Sequence, residues 1–377
     1  MRKPVLVGTA ALAILAMAAC TEKPGDTASG GPIAVKATDD SCEVSATKTK
    51  AGTVTFKVSN KGTKVTEFYV YGKGDRVMSE VENITPGLTR KLIVELPAGK
   101  YQTACKPGMV GDGIRGKFTV TGKSEKLDAD ANVKQAVKDY EKYVSQQADS
   151  LVTKTKEFTD AVKAKKIDKA KELFPVARTY WERIEPVAEK FGDLDPKLDG
   201  RADDHPKREK DPQFTGFHRL EYDLWKKKDL SDSAKYAKQL NDGVQEVAKR
   251  AKSEKVAPLD LANGAKGLLD EVATMKITGE EDRYSHTDLW DFAANLEGSQ
   301  AAIAALRPVI DDRDPKLGKQ LDDLFSKAKK ELAKYAEGDG YRGWDKLSKD
   351  DLKKLSDAIN ALGEPVSKVA GLVSKGK

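Results

Sequence analysis

The sequence predicts two domains, an N-terminal all-β sandwich followed by an all-α helical bundle. Three observations predict it. Apolar residues recur with a period of two from Ile33 to about Gly122 and with a period of 3.6 from about Ala129 onward. Turn-forming Gly, Pro and Asn punctuate the first stretch closely, whereas the second runs for tens of residues between breaks. The chain has 377 residues, 39% hydrophobic and 33% charged, which is enough apolar content for two cores. With aromatics at only 7%, solvated helices with narrow apolar stripes are expected.

Ahead of the first strand, residues 1–19 read as a signal peptide: Arg2 and Lys3, an apolar run from Val5 to Met17, then Ala18 and Ala19 before Cys20. The apolar run is too short to span a bilayer comfortably. A Cys after small residues at this point looks like a bacterial lipobox, so Cys20 is expected to become a lipidated N-terminus at the outer face of the cell membrane. Residues 20–32 are polar and rich in Gly, Pro and Ser, as suits a flexible tether. Lys+Arg 66 and Asp+Glu 60 are interspersed along the chain, without the dense basic patch and interleaved aromatics that nucleic-acid binding requires, so no nucleic-acid partner is expected.

The β domain spans 33–122. Runs at Thr53–Val58, Glu67–Tyr71, Lys91–Leu96 and Lys117–Val120 alternate and are rich in β-branched and aromatic residues, with turns at Asn60–Gly62, Pro86–Gly87 and Pro97–Gly99. About seven strands are expected. The Asn60 turn leading into Glu67–Val70, and the loop carrying Cys105 and Met109, resemble a cupredoxin. That resemblance implies a copper site of His, Cys and Met. The domain has no His, because His205, His218 and His286 all lie further along, so an electron-transfer copper centre is excluded. Glu67, Cys105 and Met109 remain as candidates for an altered second metal site. Against this, once Cys20 is lipidated only Cys42 and Cys105 are left, in a compartment where disulfides persist, and a Cys42–Cys105 disulfide would remove the thiolate.

A linker at 123–130 leads into the helical domain, 131–377. Val133, Val137, Tyr140, Val144, Ala148, Leu151, Phe158 and Val162 keep one helix face apolar, and further helices are expected at about 168–191, 213–227, 231–253, 258–275, 286–309, 315–337 and 348–373. Within them His218 and Glu221 stand three apart, so both side chains meet on one helix face within reach of one ion. Pairs at this spacing, completed by carboxylates of neighbouring helices, bind iron in carboxylate bundles. The bland alternative is a structural hydrogen bond or a surface ion pair. Glu182 with Glu185, and Asp288 with Asp291, are further carboxylate pairs at the same spacing. For Asp288 the competing reading is a capping box with Ser285.

Arg178–Pro186 (RTYWERIEP), Phe191–Pro196 (FGDLDP), Gly216–Glu221 (GFHRLE), Tyr284–Leu289 (YSHTDL) and Asn295–Gly298 (NLEG) resemble the imelysin (M75) family. With the cupredoxin-like domain in front, residues 33–375 are similar to EfeO-type iron-uptake lipoproteins. The resemblance implies a non-enzymatic, extracytoplasmic component of an EfeUOB-type system that binds iron, with zinc or copper as other candidate ions. It implies a membrane iron permease and a haem peroxidase as partners, and His218 with Glu221 as the metal-binding motif. A metallopeptidase is the alternative that the M75 label suggests. Zinc peptidases usually present two His with a separate Glu as general base, and neither His205 nor His286 has that spacing from His218.

Overall fold

A computed structural model describes residues 31–123 and 130–375. The leader at 1–19, the lipidation site Cys20 and most of the tether and linker lie outside the described residues. Nine strands form the first domain: β1 (Ile33–Ala37), β2 (Cys42–Val44), β3 (Lys48–Lys50), β4 (Gly52–Asn60), β5 (Thr66–Tyr71), β6 (Val77–Ile84), β7 (Thr89–Leu96), β8 (Gly99–Pro107) and β9 (Ile114–Thr121). They make two sheets, ordered β2-β1-β4-β7 and β3-β9-β8-β5-β6. The two strands beyond the expected seven are β2 and β3, three-residue edge strands too short to show an alternating pattern. Phe56 of β4 meets Phe68 of β5 and Phe118 of β9 at ring separations of 5.2 and 5.3 Å, which fills the space between the sheets.

Register decides what the altered copper loop can do. Cys105 pairs with Phe68 and so faces the core, where it is bonded to Cys42 with an S–S distance of 2.04 Å. Glu67 pairs with Lys106 and faces the opposite side of the same sheet. One ion cannot be held by both, because neighbouring residues of a strand point to opposite faces. The grouping of Glu67, Cys105 and Met109 is therefore corrected: Cys105 is a disulfide sulfur, while Glu67 and Met109 line a cleft on the outer side of the sheet.

The second domain is built from α1 (Ala131–Lys163), α2 (Ile167–Glu182), α3 (Asp195–Leu198), α4 (Gly216–Glu221), α5 (Ser233–Ser253), α6 (Pro258–Thr274), α7 (Asp288–Ala305), α8 (Arg307–Arg313), α9 (Pro315–Leu332) and α10 (Lys349–Val373). Asp130 caps α1 by accepting hydrogen bonds from the backbone of Asn132 and Val133. The helix expected at 168–191 divides, because α2 stops at Glu182 and Pro186 opens a 3-10 segment, Glu185–Leu194. The helix expected at 286–309 divides likewise, with Pro308 at the start of α8. The stretch expected at 213–227 is α4 followed by a π-helical turn over Tyr222–Lys227.

Two glycines set the close approaches around α4 and α7. Gly216 has φ +77°, and a Cβ there would lie 2.1 Å from the Leu198 carbonyl oxygen. A Cβ at Gly298 would lie 2.4 Å from the Arg183 carbonyl oxygen, so only Gly lets α7 press against the end of α2. The domains also touch. Asn263 on α6 donates to the Ile93 carbonyl at 2.7 Å and to Ser79 Oγ at 3.2 Å, and Arg90 pairs with Asp270. The contact is made by the edge strands β6 and β7. All six residues of β5 are buried, with Lys106 and Arg115 of the same sheet lying over the outward rings of Tyr69 and Tyr71.

The disulfide joins β2 of one sheet to β8 of the other across 63 residues. Closing a loop of that length should stabilise the β domain by about 3–4 kcal/mol through the unfolded chain. Denaturant titration of the Cys42→Ala, Cys105→Ala protein should show a loss of this size, and an unchanged midpoint would contradict it.

Candidate metal centre

The centre is assembled around Arg178, which α2 carries into the core at 0% exposure. Its guanidinium pairs with Glu182 one turn along α2 and with Asp199 after α3. It also pairs with Glu281 at 3.1 Å, Asp282 at 3.4 Å and Asp291 of α7 at 3.2 Å. A second buried cation, Lys276, holds Glu182 at 2.8 Å and Glu185 at 2.8 Å. Asn295 of α7 donates to the same two carboxylates at 2.9 and 2.6 Å.

His218 enters from α4 beside this network, 2% exposed. Its Nε2 lies 3.3 Å from Asp199 Oδ1 and 3.5 Å from Glu281 Oε1. Its Nδ1 lies 3.2 Å from Glu221 Oε2 and 3.9 Å from Asp282 Oδ1. Each ring nitrogen thus belongs to a three-residue group, Asp199–His218–Glu281 and His218–Glu221–Asp282, whose ligand atoms lie within 4.8 Å of one another. The two groups are not equivalent. On the Nε2 side Asp199 is occupied by Arg178 and by Trp181 Nε1 at 2.9 Å. On the Nδ1 side Glu221 Oε1 is fixed by the backbone of Tyr284 and Ser285, both at 2.8 Å, and by the Ser285 hydroxyl at 2.9 Å, which leaves Oε2 turned to His218. Asp282 Oδ1 is sealed from solvent and makes no hydrogen bond.

Buried carboxylates outnumber the permanent cations. Glu182, Glu221, Glu281, Asp282, Asp288 and Asp291 are all buried here, against buried Arg178 and Lys276. Burial pushes Asp282 up to about 7 and Asp288 and Asp291 well above the carboxylate range. Burial would also lift Asp199 and Glu281, but Arg178 holds Asp199 low and Lys276, with His218, holds Glu281 low. For His218, burial and Arg178 favour the neutral ring, yet the hydrogen bonds to Asp199, Glu221 and Glu281 outweigh them and raise its pKa well above the ordinary value.

Of the residues that the sequence singles out, the structure brings His218 and Glu221 together. Glu182, Glu185 and Asp291 are held by Lys276, Asn295 and Arg178 and stand in neither group around His218. Asp288 accepts the Asp282 backbone N–H at 3.1 Å. The competing reading of Asp288, a capping box with Ser285, is not formed either, because Ser285 donates to Glu221 and Thr287 is the residue that precedes α7. Asp199, Glu281 and Asp282 are additions. They lie between helices, where periodicity carries no signal, although Glu280–Asp282 is an acidic run directly before Tyr284–Leu289.

A family model described as peptidase M75, imelysin, matches residues 136–369, and one described as a cupredoxin-like domain matches residues 9–120. The chain belongs to the imelysin family. This imelysin chain is 41% identical over 345 residues to the iron uptake system component EfeO of Escherichia coli O1:K1, of E. coli strain K12 and of Shigella flexneri. Each match covers 90% of this chain and 91% of the relative. The motifs that carry the resemblance in the sequence meet in space: the α2 motif supplies Arg178 and Glu182, the α4 motif His218 and Glu221, and the Tyr284–Leu289 motif the backbone that fixes Glu221.

The raised pKa values fix a pH dependence for the metal-free protein. Asp282 ionises near 3.8 when unfolded and near 7 in the fold, so its contribution to stability is full below the lower value and is lost as pH rises through the higher. His218, raised above 6.5, acts in the same direction. Stability should fall from about pH 4 to about pH 7, by about 4 kcal/mol from Asp282. Denaturant titrations across this range provide the check, and Asp282→Asn should make the slope shallower without removing it, because Asp288, Asp291 and His218 act in the same direction. Stability that rises with pH would refute the assignment.

Proposed function

We propose that the protein is the extracytoplasmic iron-binding component of an iron uptake system. In this reading it captures iron at His218, Glu221 and Asp282 and passes it to a membrane permease that works alongside a haem peroxidase. The observation that carries the reading is the enclosed excess of carboxylates around one imidazole. It calls for a cation, and its oxygen-rich donor set suits a hard ion such as iron better than a thiolate site would. The relatives' name, iron uptake system component, supports the same ion. Asp199 then has a distinct task. Its Oδ1 lies 3.3 Å from His218 Nε2, behind the ring, where with Arg178 Nη1 at 3.3 Å it would fix the orientation that turns Nδ1 toward the ion.

The lipid anchor at Cys20 belongs to this proposal, since it would hold the carrier at the outer face of the cell membrane next to its permease. No helix among the described residues is long and apolar enough to cross a membrane.

Burial also weighs against the peptidase reading. His218, Glu221 and Asp282 are 2, 0 and 0% exposed, so a bare ion can reach them but an extended peptide cannot. Peptide hydrolysis also needs a general base free of other duties. Around His218 the carboxylates are either bound by Arg178 and Lys276 or required as ligands.

Calorimetry with iron should show that His218→Ala with Glu221→Ala abolishes binding at this centre. Asp282→Asn should weaken it by about 10-fold or more, while Asp199→Asn should weaken it by about 10- to 100-fold through the ring orientation. Incubation of the iron- or zinc-loaded chain with unfolded casein, read by mass spectrometry, should yield no products. Cleavage that disappears in Glu221→Gln would replace the carrier by a peptidase.

A further inference from the structure

Glu221 and Asp282 each turn one oxygen toward His218, and the loop from Asp282 to Thr287 is the reason. Glu221 Oε1 accepts the backbone N–H groups of Tyr284 and Ser285, both at 2.8 Å, and the Ser285 hydroxyl at 2.9 Å. Three donors use up the lone pairs of one carboxylate oxygen and surround it with positive hydrogens, so only Oε2, 3.2 Å from His218 Nδ1, is open to an ion. Asp282 is held alike. Its Oδ2 accepts the Thr287 hydroxyl, while Oδ1, 3.9 Å from Nδ1 and 3.4 Å from Arg178 Nε, makes no hydrogen bond.

The Thr287 hydroxyl is diverted from the task that its position assigns it. Thr287 is the N-cap residue of α7, where a Thr hydroxyl ordinarily accepts from the helix backbone, yet it makes no cap bond. His286, just before it, adopts φ +59°, which is uncommon for a residue with a Cβ. Its N–H donates to the Asp282 carbonyl at 2.7 Å and its own carbonyl accepts the Trp344 N–H at 2.9 Å, so the turn is fixed on both sides. The hydroxyl oxygens of Ser285 and Thr287 then lie 2.9 Å apart, one against each carboxylate. A cap bond and a relaxed backbone are given up for control of two carboxylate oxygens.

We infer that Thr287 and Ser285 set which ion the His218 centre accepts: by holding Asp282 and Glu221 to one free oxygen each, they admit a small ion such as iron or zinc and refuse calcium. Calcium takes about 6–8 oxygen donors and often reaches that number through bidentate carboxylates. Small transition-metal ions need fewer donors and favour an imidazole among them. One nitrogen and two single oxygens, buried from solvent, fall short of the calcium requirement. The inference rests on the reading of His218, Glu221 and Asp282 as the iron site and adds the residues that select its cargo. Thr287 and Ser285 do not touch the ion and act as positioning residues.

The test titrates the full chain by calorimetry with iron(II) under anaerobic conditions, with zinc(II) and with calcium. The wild type should bind iron(II) or zinc(II) in a manner that His218→Ala abolishes, and calcium at least about 100-fold more weakly. Thr287→Val keeps the side-chain shape and frees Asp282 Oδ2, so it should lower the ratio of iron(II) to calcium affinity by at least about 10-fold. Ser285→Ala should lower it less, because two N–H donors stay on Glu221 Oε1, and Thr287→Ser should retain the wild-type ratio. Should Thr287→Val fail to fold, Thr287→Ala reads the same ratio. A purely structural role would weaken all three ions alike. An unchanged ratio, or calcium held by the wild type as tightly as iron(II), overturns the inference and leaves the iron site standing. A wild type that binds neither iron(II) nor zinc(II) removes the iron site, and the inference falls with it.

Discussion

The helical domain depends on one buried guanidinium. Arg178 is inaccessible to solvent and contacts carboxylates from its own helix, from the end of α3, from the loop before α7 and from α7 itself. A buried cation without partners would be prohibitively costly, and so would five buried carboxylates without a cation. Each therefore requires the other, and the elements that carry them can pack in only one way. Planar geometry matters as much as charge. Five N–H donors in a rigid fork can serve several carboxylates at once, which a lysine ammonium at this position could not do.

That constraint explains why His218 is poised and not simply buried. Arg178 pairs with Asp199, Asp282 and Asp291, and Lys276 pairs with Glu182 and Glu185, so Glu221, on the Nδ1 side of the imidazole, is held by neutral donors and by the ring and not by either permanent cation. The permanent cations thus divide a large acidic cluster into a structural part and an exchangeable part. Protons or a metal ion compete for the second part only. Without Arg178 and Lys276 the whole cluster would be open to protonation, and affinity for a metal would be spread over many weak arrangements.

The two-domain plan was legible because periodicity is local: alternation marks strands and a 3.6 repeat marks helices, whatever else the chain does. His218 and Glu221 were legible for the same reason, since a three-residue spacing on a helix is a geometric statement. Asp199, Glu281 and Asp282 were not, because their approach to His218 comes from tertiary packing of segments that have no repeat. Glu182, Glu185 and Asp291 carried the right spacing and chemistry, but nothing local says that Arg178 and Lys276 reach them first. Alternation on β5 separated Phe68 and Val70 from Glu67, Tyr69 and Tyr71 correctly. It could not show that both faces are buried, the outward one in part beneath Lys106 and Arg115 of the same sheet.

The position of the cleft bears on how an ion could enter and leave a centre that is itself closed. His218, Glu221 and Asp282 do not line the cleft between the domains, but Glu185 and Arg201 do. Glu185 is the outer partner of Lys276, and Arg201 reaches Glu281 at 3.4 Å, so both are one ion pair away from the His218 network. Ion pairs at the edge of a cavity exchange more readily than those in the core, because water can replace the partner that leaves. Arg178, enclosed on all sides, and Lys276, 2% exposed, are fixed charge in the core, whereas Glu185 and Arg201 place the ends of two ion pairs on the wall of the cleft.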